Sequence, residues 1–375
     1  MLTAALLAAG CSDSSSTGSE KVTPIAKQAA VKPVIAEKAW KVVDAFEVGP
    51  EIYVRSMALD PSAKSLWVGT SAGVHEVNLA TQELRHTFTR ADGLANEYVF
   101  AIHVDRDGNK WFGTNGGGVS RYRDDKWKVY FPMHGLADYW VYSFAQQKSG
   151  AVWIGTWAGV NRWQSDDVKL DIYVKELVNE WVYGIDVDQQ DRVWFGTEGG
   201  VSMFNGQQWQ AWTHKEGLGA PNEDNLPISI NTGLGTRSRH DLSLLTQGEP
   251  TYNPNYVFAI HVDRKNQIWA GTWGGGVGRF DGAKWTNYNA HNGLAGNVVY
   301  NIAEADDGAL WFGTDHGVSR FDGKAWQNYG RSDGVLSDHV YAVAAIPGGE
   351  VWLGTRGGVT RLGLKSATPE TGKKP

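Results

Sequence analysis

The chain has 375 residues, 42% of them hydrophobic and 20% charged, with a net charge of −6 at pH 7. Those values suit a globular body, and the absence of a basic stripe argues against nucleic acid as a partner. No apolar run approaches the roughly 20 residues of a membrane-spanning helix; the anomaly is 46 glycines and 18 tryptophans.

Residues 2–10 (LTAALLAAG) are a short apolar run ending in small residues and followed by Cys11, the single cysteine. This stretch resembles the processing site of a bacterial lipoprotein, cleaved before a cysteine whose sulfur then carries lipid. The resemblance implies a signal peptide at 1–10, lipidation at Cys11, and default sorting to the outer membrane through Ser12. The alternative is a chance cysteine in a frayed terminus. Signal peptides ordinarily carry Lys or Arg ahead of the apolar run, and none stands here; Ala8 also sits where Leu is commoner. The expectation therefore includes a truncated leader with its start upstream of Met1. Residues 12–38, rich in Ser, Lys and Ala without an apolar period, read as a flexible tether. The body is expected in the envelope of a Gram-negative bacterium, facing the periplasm and touching the membrane only through its lipid.

From Trp40 onward a single stretch recurs. Trp-x-Gly-Thr stands at Trp67, Trp111, Trp153, Trp194, Trp269, Trp311 and Trp352, with gaps of 44, 42, 41, 75, 42 and 41 residues. A period of about 40–45 residues made of short strands and glycine turns is the signature of a β-propeller. The second repeat shows the template: YVFAIHVD (98–105), KWFGT (110–114), VSRYR (119–123) and KWKVYF (126–131), separated by Gly, Asp and Asn turns. The expected fold is all-β, a seven-bladed propeller of four-stranded antiparallel blades over residues 39–364. After Leu364 only a charged tail remains (365–375, expected disordered), so the last repeat lacks an outer strand. KAWKVVDAF (38–46) matches the outer strands of other repeats, so the N-terminal strand is expected to complete the last blade and close the ring, which removes exposed strand edges.

Repeats two to five, three to six and four to seven are each offset by 158 residues, and YVFAIHVDR occurs identically at 98–106 and 256–264. A three-blade unit has been duplicated. The long gap before Trp269 holds an insertion, 218–252, polar and scattered with Pro and Gly; loops of this length are usually functional or disordered.

The seven tryptophans read as structural anchors between blades, each ring burying on the order of 150–250 Å², worth at most about 4–6 kcal/mol. The Thr can bond across the following turn, where glycines permit the backbone conformation. The pattern D-x-x-G-x-x-W-[FIL]-G-T followed by G-[VL]-x-[RK]-[FY] resembles the two-component regulator propeller repeat. That family's propellers are periplasmic parts of sensor kinases and bind ligands, often carbohydrate fragments. This chain has no kinase, receiver or spanning segment, so the resemblance implies binding in the envelope rather than signalling.

The Asp105–Gly108 and Asp306–Gly308 turns superficially resemble Ca²⁺ loops, but calcium takes 6–8 oxygens and these offer too few. His103 and His261 occupy equivalent inner-strand positions and read as structural histidines. No metal and no cofactor are expected.

The positions that differ between repeats carry more information. After each Trp-x-Gly-Thr stand Ser71, Asn115, Trp157, Glu198, Trp273, Asp315 and Arg356; before each inner-strand valine stand Tyr53, Tyr98, Trp140, Trp181, Tyr256, Val298 and His339. Both sets should emerge on one face, overhung by the insertion with Arg237, Arg239 and His240. The candidate binding residues are Tyr98, Trp140, Trp157, Trp181, Glu198, Arg237, Arg239, Tyr256, Trp273, Asp315 and Arg356, a set suited to stacking on a sugar ring or gripping a protein loop. Alternatively, the aromatics simply plug the channel mouth.

Three functional classes follow. The first is a non-enzymatic, monomeric, lipid-anchored module that binds a small ligand or an envelope protein through this face. The second is an assembly scaffold, using the insertion or blade edges. The third is an enzyme: streptogramin lyases carry a similar short repeat but need a Glu-x-His that is absent here, and Glu198 and Asp315 come from blades too far apart for the carboxylate pair of a retaining glycosidase, about 5–5.5 Å. No catalytic residue is assigned.

Overall fold

The computed structural model describes residues 33–62, 64–167, 169–229 and 250–364. The expected leader, Cys11, most of the tether, the tail, and Arg237, Arg239 and His240 lie outside them.

Every Trp-x-Gly-Thr stretch forms a strand with β-branched and aromatic neighbours on both sides. In the sheet of residues 99–130, Lys110–Thr114 pairs antiparallel with the inner strand Val99–Val104 and with Val119–Arg123, and Lys126–Tyr130 closes the outside. Sheets 141–173, 182–212, 253–288 and 299–329 repeat this four-stranded order.

The expected count of seven blades is corrected by the hydrogen bonding. The strands form six sheets, five of four strands and one of six, so the protein is an all-β, six-bladed propeller whose last sheet is enlarged. In that sheet the order runs Val340–Ile346, Glu350–Leu364, Trp40–Asp60, Ser65–Thr70, Gly73–Asn78, Leu84–Phe88, so Trp352 and Trp67 belong to one sheet. The cause lies in one connection. Five of the connections between successive sheets turn through a 3-10 segment, Arg90–Asp92, Pro132–His134, His214–Glu216, Ala290–Asn292 or Arg331–Asp333, each ended by a glycine of positive φ, and residues 174–181 make the same passage by irregular turns. Residues 46–54 contain no such turn: Phe46 pairs with Val359, Gly49 with Gly357, Tyr53 with Arg356, and Val54 with Thr70. Backbone pairing therefore continues, through bulges, from the last repeat into the first. The N-terminal strand does join the last sheet, with Trp40 opposite Leu364 and Val42 opposite Leu362.

The core lies between sheets. Trp111, Trp153 and Trp311 are completely buried, and each packs against strands of the next sheet; Trp111 sits with Val141, Val152 and Ile154. The Thr hydroxyls donate to the carbonyl that closes the following turn, as Thr114 to Gly118 at 3.0 Å and Thr197 to Gly200 at 2.8 Å. The glycine before each Thr has a different reason. A Cβ on Gly113 would lie 2.8 Å from the carbonyl oxygen of Val141, and one on Gly313 would lie 2.5 Å from that of Val340. The second strand of one sheet approaches the inner strand of the next so closely there that only hydrogen fits.

Candidate functional site

The two variable sets are neighbours on one face. The residue after Trp-x-Gly-Thr donates its backbone N–H to the carbonyl of the residue before the inner valine: Asn115 to Tyr98 at 2.9 Å, Trp157 to Trp140 at 3.1 Å, Glu198 to Trp181 at 3.1 Å and Asp315 to Val298 at 3.1 Å. Trp273 is paired with Asn253 and bridged to Val298, and Arg356 is paired with Tyr53. Antiparallel closure of the two innermost strands thus gathers side chains that are far apart in sequence.

The aromatics then form two connected groups. Trp157 lies between Trp140 and Trp181, edge to face with both, at centroid distances of 5.9 and 5.3 Å. Trp157 is buried while Trp140 and Trp181 are half-buried. Tyr256 and Trp273, both buried, stack at 6.0 Å, and Tyr256 contacts Tyr183 at 4.9 Å. Tyr98 is half-buried and its hydroxyl accepts from Arg55. Of the charged candidates, Glu198 is buried and accepts a bond from the Tyr183 hydroxyl at 3.2 Å. Asp315 accepts the Val298 N–H at 3.1 Å and pairs with His316 at 3.1 Å, which raises the His316 pKa. Arg356 is exposed, stacks over Tyr53 at 5.7 Å and pairs with Glu51. Glu198 and Asp315 therefore serve separate networks. The described ends of the insertion meet beside Trp273: its indole donates to Thr251 at 2.8 Å, and Tyr252 donates to the Ala220 carbonyl at 2.7 Å.

Sequence reasoning missed the position after the inner valine. There the inner strands place Arg55, Phe100, Tyr142, Tyr183, Phe258, Tyr300 and Tyr341 around a cavity of about 220 Å³. The rings touch in succession: Phe100–Tyr142 at 4.8 Å, Tyr142–Tyr183 at 5.0 Å, Tyr183–Phe258 at 5.6 Å, Phe258–Tyr300 at 6.0 Å and Tyr300–Tyr341 at 5.2 Å. Arg55 closes the belt, over Tyr341 at 5.8 Å and Phe100 at 5.0 Å. Burial holds the Tyr183, Tyr300 and Tyr341 phenols above their ordinary pKa. At neutral pH they stay protonated and can donate. The signal was available as an aromatic two residues after Tyr98, Trp140, Trp181, Tyr256, Val298 and His339, with Arg55 in the same place after Tyr53.

Farther along the channel, His261 lies 3.6 Å from Asp186 and 3.9 Å from Glu304, and burial raises the Asp186 pKa. His103, equivalent to His261, is pushed down to about 4 by burial. Among the described residues no His, Cys, Asp and Glu cluster could hold a metal ion. The Asp105 turn is occupied internally: its carboxylate accepts the Asp107 and Asn109 N–H groups, the Asn109 amide and the Trp111 indole at 2.7–3.0 Å.

No helix among the described residues is long and apolar enough to cross a membrane. Among solved structures, the fold resembles the extracellular domain of a putative hybrid two-component system from B. thetaiotaomicron, at 22% identity and a TM-score of 0.67. The match covers 87% of this chain and 41% of that one, so the chain spans about two fifths of its length. A catalytically inactive virginiamycin B lyase from Staphylococcus aureus, solved with quinupristin, matches at 13% identity and a TM-score of 0.64, covering 87% of this chain and all of that one. YCF48 bound to a D1 peptide matches at 11% identity and a TM-score of 0.59, over 90% of this chain and 99% of that one. At these identities the likeness is one of fold. No curated protein matches the chain. The family model described as the two component regulator propeller matches residues 93–116, 251–274 and 293–316. The chain is thus a β-propeller carrying two component regulator propeller repeats.

Proposed function

We propose that the protein is a non-enzymatic binding module of the cell envelope, anchored through a lipid on Cys11, that takes a small ligand with a flat face at the channel mouth. The observation that carries this reading is the Trp140–Trp157–Trp181 group. Its central ring is buried and fixes the two outer ones, which are half-buried and precede the cavity-lining Tyr142 and Tyr183 by two residues. Rigid, partly exposed indoles lose little entropy when a flat ligand, such as a pyranose ring, stacks on them. The likeness in fold to the extracellular part of a putative two-component system agrees with a recognition role. The candidate carboxylates favour binding over catalysis, since Glu198 is bonded to Tyr183 and Asp315 to a backbone N–H and His316.

The test is thermal unfolding and tryptophan emission of the purified protein against neutral oligosaccharides and small cyclic metabolites. A saturable rise in melting temperature with one class supports the reading, because a ligand bound only to the folded state stabilises it by mass action. Failure of every class to shift either signal counts against it.

A further inference from the structure

Arg55 is the one charged member of the channel belt. Its guanidinium stacks over Phe100 at 5.0 Å, Tyr341 at 5.8 Å and Tyr98 at 5.9 Å, and its Nη1 donates to the Tyr98 hydroxyl at 3.1 Å. Of the other ring-stacked arginines, Arg121 pairs with Asp166 at 2.7 Å and Arg361 with Glu350 at 2.8 Å, while Arg162 over Trp153 and Arg279 over Trp269 are in no ion pair among the described residues but lie outside the channel belt. Among the described residues Arg55 has the Tyr98 hydroxyl as its hydrogen-bond partner and no ion pair.

Stacking engages the faces of a guanidinium and leaves its N–H edges, the groups that receive a carboxylate in bidentate fashion. A half-buried aromatic wall also lowers the local dielectric, so an arriving anion is attracted more strongly than in bulk water. The neighbouring tyrosines add neutral O–H donors and flat apolar surface. A cavity of about 150 Å³ is enough for a benzene ring, and this one holds about 220 Å³.

We propose that the channel binds a small planar carboxylate, its carboxylate on Arg55 and its ring against the belt aromatics Phe100, Tyr341 and Tyr300. This rests on the reading that the channel mouth admits a ligand, and it adds the chemical class of that ligand.

The test is calorimetric titration of the purified protein at pH 7 and low salt with benzoate and with its neutral analogue benzamide. Arg55→Gln and Arg55→Lys are titrated alongside, with circular dichroism reporting their folding. The expected result is benzoate binding at least about tenfold tighter than benzamide, as a charge-assisted bidentate contact implies. That preference should vanish in Arg55→Gln and survive in part in Arg55→Lys. Equal affinity for the two probes, an undiminished preference in Arg55→Gln, or no binding of either overturns the proposal. Should Arg55→Gln fail to fold, the wild-type comparison and Arg55→Lys decide. Neutral ligands that still bind in a Trp181-dependent manner while neither probe binds would remove the anion site and leave the mouth reading standing; silence from every compound removes both.

Discussion

The indole N–H of Trp111 donates to the carboxylate of Asp105 at 2.7 Å, across a turn that separates them by six residues. The same bond joins Trp194 to Asp188 and Trp269 to Asp263, both at 2.9 Å, and Gln147 takes the aspartate's place for Trp153 at 2.9 Å. In these three turns the aspartate is thus the acceptor for a buried indole. Asp105→Ala strands the indole and two backbone N–H groups and should cost about 2–4 kcal/mol, read as a lower urea midpoint with unchanged slope.

Trp311 supplies the converse case. Ala305 stands where the repeats of Trp111, Trp153, Trp194 and Trp269 place the acceptor, and among the described residues the Trp311 Nε1 is buried without a partner. Ala305→Asp should supply the missing bond and raise stability by about 1 kcal/mol, the usual net value of such a bond. A fall in melting temperature would show that this turn cannot seat the carboxylate.

Gly113→Ala should destabilise by about 1–3 kcal/mol, because its Cβ would overlap the Val141 backbone of the next sheet. Gly150→Ala meets nothing within 4 Å but sits at φ +96°, so its cost should be confined to backbone strain of about 1 kcal/mol. Urea unfolding of the two variants separates close approach from conformational strain.

His103 gives a pH dependence of determined sign. Burial pushes its folded pKa to about 4 from an ordinary 6.5, Asp105 opposing and Arg106 reinforcing the shift. Below pH 6.5 the unfolded chain takes up a proton that the folded chain refuses. This group's contribution is therefore complete above pH 6.5 and lost as the pH falls to 4. The loss amounts to about 3 kcal/mol at 1.36 kcal/mol per pH unit. In His103→Gln that part of the slope should disappear from urea-derived stabilities measured between pH 4 and 7.

The period of the tryptophans made the propeller legible, since seven equal strands cannot bury their faces except by stacking in a ring. The number of sheets was not legible, because it depends on whether residues 46–54 turn or stay extended, which the repeat period does not record. The face was legible to the extent that the residues flanking Val141 and Val182 alternate with it. The Arg55 belt was legible only as a row of inner-strand side chains: what turns them toward the channel is the bulge after each valine, as between Val99 and Ala101. The aspartate turns were weighed as ion loops because sequence shows a carboxylate and not the indole it faces.

The central claim is that the tryptophan group at the mouth holds a ligand, and the most direct measurement is affinity for the first compound that raises the melting temperature, compared between wild type and Trp181→Ala. Trp181 is half-buried at the edge of the Tyr183 and Tyr256 cluster, so its loss should leave the sheets assembled while weakening binding by about tenfold or more, the scale of a lost stacking contact. Unchanged affinity in a folded Trp181→Ala protein would contradict the account and reduce the aromatics to a plug of the channel.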